Sequence, residues 1–214
     1  QITVNDPSYF TRVATLIATE QPAELRDYLT EVVLRDHASE LSQPWVDENF
    51  AFEKELTGER ELPPRWRRCV SRVDGELGEL LGQSYVKQRF AGDAKQRATD
   101  LTKAVLGAMG AELDQLSWMD AATRDAAKQK LAKMGYLVGY PDKWRTYDFA
   151  VSRTDFAGNV HAATRWELAR QLHKIGRPVD PFEWDMTPPT VNAYYNPLLN
   201  ELALPAGQLQ PPFF

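Results

Sequence analysis

The sequence predicts a mainly α chain, a multi-helical domain followed by a short C-terminal β-hairpin. Three observations carry that reading. Apolar residues recur at three- and four-residue spacing along most of the chain up to Ile175. Asp-Pro, Gln-Pro, Pro-Pro and single Asp residues punctuate the pattern as helix starts. From Thr187 the period changes, and two β-prone runs, Val191 to Tyr195 and Glu201 to Leu204, are joined by Asn196-Pro197-Leu198-Leu199-Asn200.

Taken in order, Gln1 to Val4 reads as a short strand. Asn5-Asp6-Pro7 supplies a cap followed by proline at the first helical position, where its missing N–H costs nothing. Pro22 opens a second helix, with Leu25, Tyr28, Leu29, Val32 and Val33 at helical spacing. Pro44 restarts the chain before a helix over Trp45 to Leu56. After a loop over Gly58 to Pro64, a long helix carries Trp66, Cys69, Val70, Val73, Leu77, Leu80, Leu81 and Tyr85 on one side and ends near Gly92. Asp93 caps the next, whose stripe is Leu101, Val105, Leu106, Met109 and Leu113. Asp120 caps another that runs to Met134-Gly135. Gly139-Tyr140-Pro141-Asp142 is a turn, and Phe156 to Ile175 is a last helix stopped by Gly176 and Pro178. The change of period places a domain boundary near residues 176–190.

The 214 residues are 43% hydrophobic and 26% charged, which suits a globular chain with a sizeable core. A net charge of -5 argues against a nucleic-acid partner, which draws a basic face. No apolar run approaches the ~20 residues that cross a bilayer, and no signal peptide is visible. The chain begins on Gln1 and closes on Pro-Pro-Phe-Phe214, so it reads as an internal piece of something longer.

Candidate chemistry is sparse. Cys69 is the single cysteine, so neither an intrachain disulfide nor a cysteine metal cluster is available, and a half-buried helix residue is the expected role. His37, His161 and His173 lie far apart, with no pair at i and i+4 to put two ligands on one helix face. No zinc site is expected within these residues. Gly75, Gly78 and Gly82 fall inside a helical pattern, which favours close packing over phosphate binding. Arg65, Arg67, Arg68 and Arg72 precede Asp74, Glu76 and Glu79, a solvated or interdomain face in which Arg72 and Glu76 can pair.

Asn192 stands out, because asparagine is depleted in strands. Two readings stay open. It is a turn or bulge asparagine satisfying local backbone, or it marks an open edge strand that pairs with an extended peptide and adds an amide donor and acceptor.

The same residues carry a family resemblance. Val191-Asn-Ala-Tyr-Tyr-Asn-Pro197, Asn200-Glu-Leu-Ala-Leu-Pro-Ala-Gly207 and Leu209-Gln-Pro-Pro-Phe-Phe214 resemble the segment immediately before the zinc-binding helix of neprilysin-type metallopeptidases. That family includes neprilysin, the endothelin-converting enzymes and bacterial relatives. Trp66-Arg-Arg-Cys69, Trp118-Met-Asp120 with Thr123-Arg124 and Lys130-Leu131, Gly139-Tyr-Pro-Asp142, and Lys174-Ile-Gly176 with Val179-Asp180 and Trp184 extend the likeness, in order, over nearly all of residues 60–214.

The resemblance implies part of a zinc endopeptidase that hydrolyses oligopeptides. Residues 1–180 would be the helical domain covering the active site. Residues 181–214 would be the first strands of a zincin-like catalytic domain. Asn192 and Ala193 would bind the peptide backbone, the side chain on the leaving side of the scissile bond and the Ala193 carbonyl accepting from the departing amine. Phe213 would line the pocket for the residue after the cut, while Gln208 departs from the usual aliphatic residue. The family's His-Glu-x-x-His helix, glutamate ligand and transition-state histidine are expected beyond Phe214. No catalytic or metal-binding residue is therefore expected here, and zinc belongs to the full-length enzyme. Its partners would be a peptide substrate and the remainder of the same polypeptide. A lone cysteine resembles the bacterial branch, whose members are commonly exported, so an extracytoplasmic location is expected. The rivals are a non-catalytic helical module binding a peptide or protein through its hairpin edge, and a family member that has lost its zinc site.

Overall fold

A computed structural model describes residues 4–214, so the strand expected over Gln1 to Val4 lies, apart from Val4, outside the described residues. Among the described residues the chain forms seven α-helices and a three-stranded sheet, the mainly helical fold expected. It divides into two compact units, one running to Pro63 with Ser152–Asn159 added, the other holding Pro64–Val151 and Val160–Phe214.

In the first unit, α1 spans Pro7–Thr19, and the Asp6 carboxylate caps it by accepting the N–H groups of Ser8 and Tyr9 at 2.9 and 3.2 Å. Helix α2 spans Pro22–Asp36, and α3 spans Gln43–Thr57 and stops at Gly58, whose φ of 74° suits a residue without Cβ. A single 3-10 turn, Ala38–Glu40, links them, and Ala38 and Val46 are buried.

In the second unit, α4 spans Arg65–Arg89, α5 Ala94–Leu113 and α6 Ala121–Ala132. Helix α6 begins where the Asp120 side chain accepts the Thr123 N–H at 2.7 Å. Helix α7, Phe156–Leu172, belongs to this unit from Val160 onward. The Arg72–Glu76 pair forms at 3.4 Å.

The buried faces differ from those the periodicity selects. On α4, Trp66, Val70, Val73 and Leu80 are exposed, whereas Gly78, Glu79 and Gly82 are buried. On α5, Leu101, Val105 and Met109 are exposed, whereas Ala98 and Thr102 are buried; of the expected stripe Leu113 is buried. Close approach is the reason. A Cβ on Gly78 would fall 2.1 Å from Thr187 Cγ2, and one on Gly82 would fall 2.7 Å from Pro188 Cγ. Only a small-residue face lets that segment lie against the helix. Gly78 and Gly82 thus serve packing, while an added Cβ on Gly75 would meet nothing within 4 Å, and the neighbour is a turn over Thr187 to Thr190 rather than a helix. Helix α4 also kinks just before Gly78, with Leu77 at φ -130° and ψ 33°.

Strand β1, Gly135–Gly139, is the element the sequence pattern missed. It lies parallel to β3, Glu201–Pro205, in the register Gly135↔Glu201 to Gly139↔Pro205. Strand β2, Tyr194–Asn196, runs antiparallel on the other side of β3, with Tyr194 opposite Ala203 and Asn196 opposite Glu201. The order β1-β3-β2 leaves β2 at one edge. One apolar cluster, Phe90, Ala98, Val138, Ala206 and Leu209, gathers Tyr85, Tyr136, Leu204 and Phe214 around it. A second, Leu137, Trp184 and Ala203 with Tyr194, takes the strand residues of opposite parity.

Candidate functional site

The hairpin is built by its asparagines. Asn196 Oδ1 accepts the N–H groups of Leu198 and Leu199 at 3.0 and 3.4 Å, folding the turn from within. Asn200 takes the left-handed conformation at φ 52°. Its side chain accepts from the Tyr195 hydroxyl at 2.9 Å and donates to the Lys130 carbonyl at 2.8 Å, tying the turn to the end of α6.

The expected strand over Val191 to Tyr195 begins only at Tyr194. Asn192 and Ala193 are exposed and lead into the open edge rather than lying inside the ladder. Asn192 Oδ1 accepts the Ala193 N–H at 2.8 Å, so a side chain competes locally for a donor that a ladder would use. Asn192 thus meets its own local backbone, and its exposed side chain sits beside an edge that has strand pairing on one side. Phe213 is 70% exposed, whereas Phe214 packs on the first apolar cluster, with the Arg97 guanidinium 5.6 Å from its ring. Gln208 is half-buried. Gln210, absent from the expected site, places the Nε2 amide with its two hydrogens 3.2, 3.0 and 3.0 Å from the carbonyl oxygens of Arg89, Ala206 and Leu209 and fixes the turn that carries Phe213.

The segment leading to Asn192, residues 184–190, is fastened at several points. Thr187 and Pro188 lie on the glycine face of α4. The Gly207 N–H donates to the Pro188 carbonyl at 2.7 Å, and a Cβ on Gly207 would fall 2.3 Å from the Pro189 carbonyl oxygen. The Asp185 N–H donates to the Tyr194 hydroxyl oxygen at 3.0 Å. The Arg145 Nη2 donates to the Trp184 carbonyl at 3.1 Å.

Arg145 is also the hub of a charge network that the sequence reading did not anticipate. Its Nε lies 2.8 Å from Glu79 Oε1, and its backbone N–H donates to Glu79 Oε2 at 2.7 Å. Glu183 and Glu167 stand 3.8 and 4.0 Å from its guanidinium. Arg170 grips Glu167 through two bonds of 2.8 and 2.7 Å and reaches Glu183 at 2.7 Å, and Lys174 also bonds Glu183. The Arg170 hydrogen bonds hold the Glu167 carboxyl below its ordinary range. At Glu183 burial pulls upward, but bonds from Lys174 and Arg170 outweigh it and the net shift is downward. Two open cavities, about 560 and 510 Å³, flank this network, and Arg145 lines both.

Glu201 has the opposite environment. It is 5% exposed at the head of the central strand, and its Oε1 is buried without a hydrogen-bond partner among the described residues. Burial raises its proton affinity, and the charges of Asp185 and Asp180 raise it further.

The three histidines do not assemble. His37 bonds Glu40 at 3.0 Å, His173 Nδ1 meets the Ala169 carbonyl at 2.7 Å, and His161 is exposed on α7. Among the described residues no group of three or more His, Cys, Asp or Glu could hold a metal, and no helix is long and apolar enough to cross a membrane.

Seven helices and a small mixed sheet with an asparagine-led open edge, among the described residues, are the fold that known zinc metallopeptidases share with this chain. Residues 1–141 match the model of peptidase family M13. The chain is 35% identical to human endothelin-converting enzyme 1 and 30% identical to mouse neprilysin, in each case over 100% of its length. It superposes on the inhibitor complex of the Mycobacterium tuberculosis zinc metalloprotease Zmp1 with a TM-score of 0.90 at 40% identity, covering 100% of this chain and 32% of that one. For PepO of Lactobacillus the TM-score is 0.73 at 28% identity, over 84% of this chain and 29% of that one. The chain belongs to peptidase family M13. It spans about a third of the length of the relatives it matches, 29% of the human enzyme and 30% of mouse neprilysin.

Proposed function

We propose that this chain contributes the substrate-holding part of a zinc-dependent endopeptidase that hydrolyses oligopeptides. The observation that carries the reading is the open edge of β2, with Asn192 and Ala193 exposed immediately before it, in a chain of family M13. An extended peptide laid along such an edge gains main-chain hydrogen bonds, and the Asn192 amide adds a directed pair. Asn192 binds the peptide backbone on the leaving side, the Ala193 carbonyl accepts from the departing amine, and Phe213 lines the pocket for the residue after the cut. The exposure of Phe213 supports its availability.

No catalytic step is assigned to these residues. In the whole protein zinc supplies Lewis-acid activation of the carbonyl and of water. This chain's own contribution is to bind and orient the peptide. Residues 1–180 act as the helical covering domain and residues 181–214 as the first catalytic strands, with β1 reaching across from the helical part to complete the sheet. The apolar stripes left exposed on α4 and α5 support a second partner, the remainder of the same polypeptide. Placement in the bacterial branch is supported by 40% identity to the mycobacterial protein against 30% and 35% to the animal enzymes. An extracytoplasmic site, periplasmic, envelope-attached or secreted, completes the reading.

The test is peptide cleavage by the full-length protein, with and without a zinc chelator. Chelator-sensitive cleavage restored by zinc is expected, while the 214-residue chain alone retains no stoichiometric zinc and cleaves nothing. Peptide binding without cleavage by the full-length protein would favour a non-catalytic helical module instead.

A further inference from the structure

Arg145 joins a buried carboxylate on α4 to the backbone that presents Asn192. Glu79 is 5% exposed and lies just past the α4 kink, so a carboxylate there requires a partner. Arg145 provides both its Nε and its own backbone N–H, at 2.8 and 2.7 Å. That double attachment fixes the guanidinium, and its remaining Nη2 reaches the Trp184 carbonyl at 3.1 Å. The Trp184 side chain is buried with Leu137, Ala203 and Tyr194. The next residue, Asp185, donates its N–H to the Tyr194 hydroxyl at 3.0 Å. Tyr194 opens β2, two positions after Asn192. A single guanidinium therefore connects α4 to the start of the segment 184–194, and the Asp185 N–H joins that start to Tyr194 at its far end.

We infer that Arg145 is a positioning residue for the peptide-binding edge, acting through the Trp184 carbonyl rather than by touching substrate. The inference rests on the proposed role of Asn192 in holding peptide. Lysine at 145 keeps one positive charge, but it lacks the fork that serves Glu79 and Trp184 together. The segment then loses one fastening, and Asn192 loses its fixed approach to the substrate backbone. A small displacement of a positioning group is enough to weaken binding of the reacting geometry.

The experiment is a double-mutant cycle in the full-length enzyme, with kcat/KM for one peptide measured for wild type, Arg145→Lys, Asn192→Ala and the double variant, alongside zinc content and Tm. Arg145→Lys is expected to lower kcat/KM about fivefold when Asn192 is present, no more than Asn192→Ala itself does, and less than about twofold when it is not, with zinc content unchanged. Equal losses in both backgrounds would overturn the inference, because a general structural role is additive. So would the absence of any loss in the Asn192 background. A normal kcat/KM for Asn192→Ala itself would overturn the substrate-edge reading and this inference with it. Glu79→Gln, which preserves volume and an acceptor for the Arg145 N–H, runs the same cycle if Arg145→Lys does not accumulate as folded protein.

Discussion

Arg145 places its guanidinium and its own backbone N–H on the same carboxylate, that of Glu79, at 2.8 and 2.7 Å. The Glu79 side chain is 7% exposed and that of Arg145 26%, so the pair is largely shielded. Removing the cation leaves a buried carboxylate whose desolvation is no longer offset. Arg145→Met should therefore destabilise the unit from Pro64 onward by about 3 kcal/mol, the low end for a broken buried pair because the arginine is partly wet. Urea unfolding followed by tryptophan fluorescence checks this. Combining it with Glu79→Gln should recover part of the loss, and an unchanged midpoint for Arg145→Met alone would contradict the account.

The glycines of α4 have unequal duties. Gly75 has nothing within 4 Å of an added Cβ, while Gly82 would put one 2.7 and 2.8 Å from Pro188 Cγ and Cδ. Gly75→Ala should stabilise by roughly 0.5–1 kcal/mol through helix propensity alone. Gly82→Ala should destabilise by about 1–3 kcal/mol through overpacking. Opposite shifts in Tm are expected, and shifts of the same sign would mean that the segment 187–188 is not held against the helix.

Glu201 predicts a pH dependence of defined sign. Its folded proton affinity is raised by burial and by Asp185 and Asp180, from an ordinary value of 4.5. Below that value both folded and unfolded states hold the proton, and no penalty exists. As pH rises through the ordinary value toward the raised one, the unfolded state ionises first and stability falls. Glu201→Gln should therefore match wild type near pH 4 and exceed it increasingly toward neutral pH. Denaturant midpoints across that range provide the check, and a variant advantage confined to acid pH would contradict the assignment.

Much of this architecture was legible because it is local. Asp6 and Asp120 cap helices whose starts their own side-chain chemistry fixes, and Asn196 folds the hairpin from within the turn. What escaped is what depends on distance along the chain. Strand β1 is five residues bracketed by Gly135 and Gly139, too short for a period, and its parallel partner begins at Glu201. The exposed stripes of α4 and α5 were chosen by hydrophobic spacing, whereas the fold chose the faces where Gly78, Gly82 and Ala98 permit contact. Asn192 drew attention as a polar residue in a β-prone run, but its position ahead of β2 and its bond to the Ala193 N–H are tertiary facts. Arg145 gave no local signal, because Glu79 and Trp184 meet it only in the folded chain.

The central claim, that the chain's open edge holds a peptide for a zinc peptidase, is tested most directly at Asn192. In the full-length protein Asn192→Ala should lower kcat/KM for peptides by roughly two- to tenfold, the loss of about one substrate hydrogen bond, with zinc content unchanged. An unaltered kcat/KM, or a loss of zinc in step with activity, would contradict it.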